Sequence, residues 1–143
     1  MMRLQSAVEG FDREYGRIPE VGASRLRLEG PQAGELLNVL LGKEDASSGM
    51  MNVKQLPFLI AKGGSSKRHG GVIYHSKAPN ALPGGFYDRW GEPMELFLRA
   101  PDAYDLVFHD GKRLVRLPGA VAAVLSKGPD RKRGTRDDLK TWE

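Results

Sequence analysis

Apolar residues recur over the first sixteen positions at spacings of four, three and four: Leu4, Val8, Phe11 and Tyr15. That period draws one stripe along an α-helix, with Arg3, Glu9, Asp12 and Arg13 falling mainly elsewhere on the wheel. The pattern predicts about four turns of amphipathic helix with one buried face. Gly16 is a natural stop, and Ile18-Pro19 prevents resumption. Pro31 opens a second, shorter pattern that ends at Gly42, with proline at the first helical position and glycine past the last. Leu36, Leu37, Leu40 and Leu41 give this helix a wide apolar face, expected to pack on a sheet or on the first helix. Burying these leucines contributes ~6–10 kcal/mol before chain entropy is subtracted.

From Lys43 to Asn80 periodicity fades. Leu56, Phe58, Leu59 and Ile60, beside Pro57, read as an anchor inside a long loop. Lys62 to Gly71 reads as a basic, glycine-rich tip, Val72-Ile73-Tyr74 as a brief strand, and Ala78 to Gly85 as another loop. Asp88 to Pro93 reads as a tight turn opened by aspartate, bent by glycine and closed by proline, with Trp90 at least partly buried against the first helix or its neighbouring loop. A strand follows, with Met94, Leu96 and Leu98 on one face and Glu95 and Phe97 on the other. Tyr104 to Phe108 and Leu114 to Leu117 flank His109-Asp110-Gly111-Lys112, where Asp-Gly signals a hairpin. Val121 to Leu125 is a fully apolar strand. The whole predicts one α+β domain over 1–143: N-terminal helix, second short helix, long loop, a small antiparallel sheet of three to four strands, and a C-terminal loop.

Composition narrows the function classes. The 143 residues are 40% hydrophobic and 28% charged, an ordinary balance for a globular chain. A net charge of +4 and a pI near 9.5 permit an anionic partner without requiring one. Cysteine is absent, which excludes disulfides, thiolate metal sites and a thiol nucleophile. His69, His75 and His109 have no helical i, i+4 spacing, so a zinc site is not expected. Gly63-Gly64-Ser65-Ser66 lacks Walker spacing and flanking elements, and no serine stands in a Gly-x-Ser-x-Gly elbow. Glu92 and Glu95 are expected to flank an exposed turn rather than a cleft. Lys67, Arg68, Arg131, Lys132, Arg133 and Arg136 lack interleaved aromatics, so they read as solvated loop charge and nucleic acid is not an expected partner. No residue set makes a catalytic centre, and the chain reads as non-enzymatic. No apolar run approaches the ~20 residues of a membrane span. Met1-Met2 runs straight into the helical pattern without a cap, which predicts a further segment upstream.

Lys127 to Trp142 has no hydrophobic period at all. Gly128-Pro129 ends the preceding element, and Gly134 permits a sharp reversal. Asp130, Asp137 and Asp138 lie on either side of that reversal, where a loop folding back converges them. Converging carboxylates need a cation between them. Calcium suits a flexible oxygen-lined loop; a guanidinium from Arg131, Arg133 or Arg136 is the alternative. A solvated tail is the plain alternative to both, and Trp142 speaks against it, since a large aromatic packs on something.

Several strings in family order resemble the type II secretion major pseudopilins and their type IV pilin-like relatives. Glu14-Tyr15-Gly16-Arg17-Ile18-Pro19 resembles the "YGRYP" that ends their long N-terminal helix, and Leu36 to Gly42 resembles the short helix that follows. Asn52 to Leu59 is similar to "NPRGIRFLE", although Met51-Asn52-Val53 lacks its proline. Asp88-Arg89-Trp90-Gly91-Glu92-Pro93-Met94 resembles "DPWGNPY", with arginine, glutamate and methionine as departures. Asp102-Ala103-Tyr104-Asp105 resembles "DTDYD", and Ser126 to Trp142 is similar to "SAGPDGKPGTADDVTSW". The resemblance implies a pilin-like periplasmic head, with 1–16 the remainder of the long helix and 126–143 the C-terminal loop. It implies a precursor held in the bacterial inner membrane by an upstream apolar helix and trimmed by a prepilin peptidase. It further implies self-assembly into a pseudopilus with other pseudopilins on an inner-membrane platform, driving protein secretion. A type IV pilin-like subunit for adhesion or DNA uptake is the second reading, and a small metal-dependent hydrolase using the three aspartates the third. The carried-over calcium ligands are Asp130, Asp137 and Asp138, with Ser126 and carbonyls near Lys127 and Lys132 as additions. Arg131, Arg133 and Arg136 stand where the family often has small residues, and their charge opposes calcium.

Overall fold

A computed structural model describes residues 2–44, 50–60, 71–74, 81–134, 136 and 138–142. The basic tip up to residue 70, His69, His75 and Asp137 lie outside the described residues.

Helix α1 spans Met2–Tyr15 and α2 spans Pro31–Leu41, at the positions the two periodic stretches predict. Leu4, Val8 and Phe11 are fully buried, and Tyr15 is half-buried against the same cluster. Gly16 adopts the left-handed conformation that closes α1, its N–H reaching the Asp12 carbonyl at 2.8 Å. At the end of α2, Gly42 has φ 74°, and the Lys43 N–H returns to the Asn38 carbonyl at 3.0 Å. A side chain at Gly42 would also meet the Gln55 carbonyl oxygen at 2.7 Å, so backbone conformation and close approach both demand glycine.

Among the described residues the strands are β1 (Arg25–Arg27), between the helices, and then β2 (Gly71–Ile73), β3 (Gly85–Tyr87), β4 (Glu95–Leu98), β5 (Leu106–Asp110), β6 (Arg113–Leu117), β7 (Ala122–Ser126) and β8 (Leu139–Lys140). The main sheet has the order β1-β4-β7-β8, all antiparallel. β2 pairs with β3, and β5 with β6, as separate two-stranded ribbons. The α+β class and the antiparallel pairing hold. The membership of the main sheet differs from the expectation, because β1 and β8 join it at the edges. Tyr104, expected to open the hairpin strand, stands 90% exposed before β5 begins.

The alternation in β4 organises the layers. Met94, Leu96 and Leu98 face α1 and α2, where they join the main core with Leu26, Val124 and the helix residues. Phe97 faces the other way, into a second core with Leu106, Phe108, Val115, Ala123 and Leu125. The β5–β6 hairpin covers that face through Phe108, whose ring stacks on Phe97 at 4.1 Å between centroids. The described part therefore reads as helices, sheet and hairpin in three layers, with the central strand β4 buried on both sides.

The segment 50–60 is tied to both helices. Phe58 packs edge-on against Phe11 and Tyr15, and Leu59 is buried, whereas Ile60 points out.

Candidate functional site

The C-terminal segment is where sequence reasoning concentrates chemistry, and the structure seats it at the β7 edge of the main sheet. Gly128 to Arg131 form a turn closed by the Arg131 N–H on the Gly128 carbonyl at 3.1 Å, with Arg131 itself left-handed at φ 58°. Asp130 accepts the Lys132 N–H at 2.9 Å, an aspartate folding back on its own loop. Gly134 has φ 83°, as a reversal there requires, and its N–H donates to Asp138 Oδ2 at 2.8 Å. Asp138 Oδ1 is buried and has no hydrogen-bond partner among the described residues. After the reversal, β8 pairs with β7, and Thr141 clasps Val124 through its N–H at 3.0 Å and its Oγ1 at 2.9 Å. Trp142 then packs edge-on against Phe97 and Phe108. The described part of this segment is thus a folded return onto the sheet, and the solvated-tail alternative is set aside.

The predicted site residues divide. Asp130 and Asp138 both lie on this loop and each accepts a loop N–H. Asp137 lies outside the described residues, so the convergence of all three is not visible. Among the described residues no three acidic or imidazole side chains gather as a metal cluster. Ser126 faces elsewhere: its hydroxyl donates to Asp88 Oδ2 at 2.7 Å and accepts the Gly128 N–H at 3.2 Å. Asp88 is itself buried, and its Oδ1 accepts the Trp90 and Glu92 N–H groups at 2.9 and 3.0 Å. The turn expected at Asp88–Pro93 is therefore built around a carboxylate bonded on both oxygens from inside the protein. Trp90 is half-buried on that turn with the Arg89 guanidinium 5.4 Å above its ring.

The fit to a hard cation can be read from these partners. Asp138 Oδ1 is a buried carboxylate oxygen without a donor among the described residues, as a metal ligand would be, and Asp130 stands on the same loop. Arg133, one of the three guanidiniums proposed to neutralise the aspartates, is engaged with other carboxylates. Its Nε donates to Glu95 Oε2 at 2.6 Å, and its Nη2 lies 3.5 Å from Asp110 Oδ1. Repulsion from that charge is thus largely cancelled by other carboxylates. Asp138 Oδ1 is thus the loop oxygen with room for a cation, while Ser126, committed to Asp88, contributes less than the resemblance implies.

Sequence reasoning missed the ion-pair seat under the loop. Glu95 was expected at an exposed turn, yet its side chain is only 16% exposed. It sits inside the sheet row Arg27–Glu95–Leu125–Lys140, which strand pairing brings level. Its Oε1 accepts Arg25 Nε at 3.1 Å and Nη2 at 2.9 Å. Asp110 Oδ2 accepts Lys140 Nζ at 2.6 Å. The alternation Arg25-Leu26-Arg27-Leu28 carried a strand signal that would have placed β1 beside β4 and revealed half of this seat.

Comparison with known proteins returns no match: no family model, no curated protein and no solved structure is similar enough to this chain to count. The functional reading therefore rests on the residues themselves.

Proposed function

We propose that the chain is the periplasmic head of a non-enzymatic filament subunit, a pilin-like protein of the kind that builds the type II secretion pseudopilus. The observation that carries the reading is where the motif-like strings stand in this fold. Glu14 to Pro19 ends α1. Asp88 to Met94 is the buried-aspartate turn into the central strand. Ser126 to Trp142 leaves that strand's neighbour and returns to the sheet edge, where Trp142 closes the second core. Each string thus sits where a helix end, a turn or a closing loop is set, and a helix fixed to a sheet by one apolar stripe is what a filament head requires. In this reading the subunit assembles with copies of itself and with other pseudopilins, after a prepilin peptidase trims the precursor in the inner membrane. Calcium would sit on Asp130 and Asp138, with Asp137 as the third carboxylate, and would clamp the loop rather than take part in a reaction.

The genomic sequence immediately upstream of Met1 tests the proposal. A short basic leader, a small-residue junction and about 20 apolar residues with one early glutamate are expected. A secretory leader with its own cleavage site, or a second soluble domain, would overturn it.

A further inference from the structure

A cleft of about 190 Å³ opens where β1, β4 and β7 meet the C-terminal loop, lined by Arg27, Pro93, Glu95, Leu125, Lys127 and Arg133. Three cations and one carboxylate face this space. The carboxylate has both oxygens occupied: Oε1 by Arg25 and Oε2 by Arg133. Arg133 is thereby fixed in orientation at the wall. The other two cations are held loosely. Arg27 Nη2 lies 3.7 Å from Glu29, and Lys127 Nζ lies 3.9 Å from Glu92; both exceed hydrogen-bond length. Each can turn toward an anion in the cleft without breaking a strong contact, while Leu125 and Pro93 supply an apolar floor and rim that lower the local dielectric.

We propose that this cleft binds a single small oxyanion, phosphate or the carboxylate of a small acid, between Arg27 and Lys127, with the Glu95-held Arg133 as its fixed wall. The volume is below the ~300–1,000 Å³ of sites that take whole organic cofactors, so a nucleotide does not fit while one oxyanion does. Charge-assisted bonds from the two loosely held cations supply the recognition. The inference stands on the cleft alone and is independent of the filament reading.

The test is a titration of the labelled chain with inorganic phosphate, and separately with acetate, at constant ionic strength, followed by amide and side-chain chemical shifts. Saturable shifts confined to Arg27, Lys127, Arg133 and their neighbours are expected from at least one anion, and which anion saturates identifies the source. The double variant Arg27→Gln, Lys127→Gln should weaken that affinity about tenfold or more, the loss of one to two charge-assisted bonds. The control Arg131→Gln, Arg136→Gln, on exposed loop positions, should leave it within about twofold. Unchanged melting and circular dichroism establish that both variants fold. Shifts that never saturate with either anion, or an equal loss in the control, would reduce the cleft to diffuse surface charge and overturn the proposal.

Discussion

Asn52 ties three parts of the fold together. It is fully buried, and its side chain makes four hydrogen bonds. Oδ1 accepts the Tyr15 hydroxyl at 2.5 Å and the Leu56 N–H at 3.1 Å; Nδ2 donates to the Val39 and Leu56 carbonyls, both at 2.8 Å. One amide thereby joins α1, α2 and the 50–60 segment. Asn52→Ala would leave these groups without partners in a buried place, at a cost of ~2–4 kcal/mol, read as a lower denaturant midpoint. A loss below ~1 kcal/mol would mean that water replaces the side chain. Nothing in the sequence announced this, because a lone asparagine in an aperiodic stretch has the signature of a loop. Tyr87 makes a second residue-scale case. It is fully buried, and burial first, then its 2.7 Å bond to Glu29, pushes its phenol well above the ordinary range. The folded state therefore holds this proton more tightly than the unfolded chain does. Its contribution to stability is complete below pH ~10 and falls as pH rises beyond that value. An absorbance titration should show that Tyr87 ionises only on unfolding, and Tyr87→Phe should remove the alkaline loss attributable to it. Ionisation of every tyrosine near pH ~10 in the folded protein would contradict this.

At the scale of elements, the helices were legible and the sheet only half so. Both helices announce themselves through periodicity, proline and glycine, since each signal is local. β4 and the hairpin announce themselves through alternation and Asp-Gly. The rest depends on partners distant in sequence. β8 is two residues long and exists because β7 offers an edge and Trp142 has two rings to pack on. β3 lies in a stretch dominated by glycine, where tertiary pairing overrides weak propensity. Phe97 read as an outward residue opposite Met94, Leu96 and Leu98; only the hairpin folding over it makes a second core. Of the candidate site, the loop reversal at Gly134 was readable, whereas the Glu95 and Asp110 seat was not, because ion pairs across strands leave no local pattern. Trp142→Ala removes the half-buried ring that closes the second core. It should cost ~2–3 kcal/mol and release the segment after residue 127 to trypsin at its many basic residues. Unchanged cleavage would show that β8 and the ion pairs hold the segment without the indole.

The whole molecule joins a helix-on-sheet head to a loop that a cation is proposed to clamp. Calcium added to metal-free protein should raise the melting temperature by an amount equivalent to ~2.7 kcal/mol at a hundredfold excess over its dissociation constant, and chelator should reverse it. Asp138→Ala, which removes the buried oxygen that lacks a donor among the described residues, should abolish the response. A melting temperature indifferent to calcium would leave the loop held by its hydrogen bonds, its ion pairs and the Trp142 packing, without touching the filament reading. That reading is tested most directly at the amino terminus of the mature protein in the cell. Mass spectrometry of the membrane-bound form should find an N-methylated apolar residue at the start, about 20 apolar residues after it, and then the stretch that begins Met1-Met2-Arg3-Leu4. A mature chain that begins at Met1, or one released freely without that apolar segment, would contradict it.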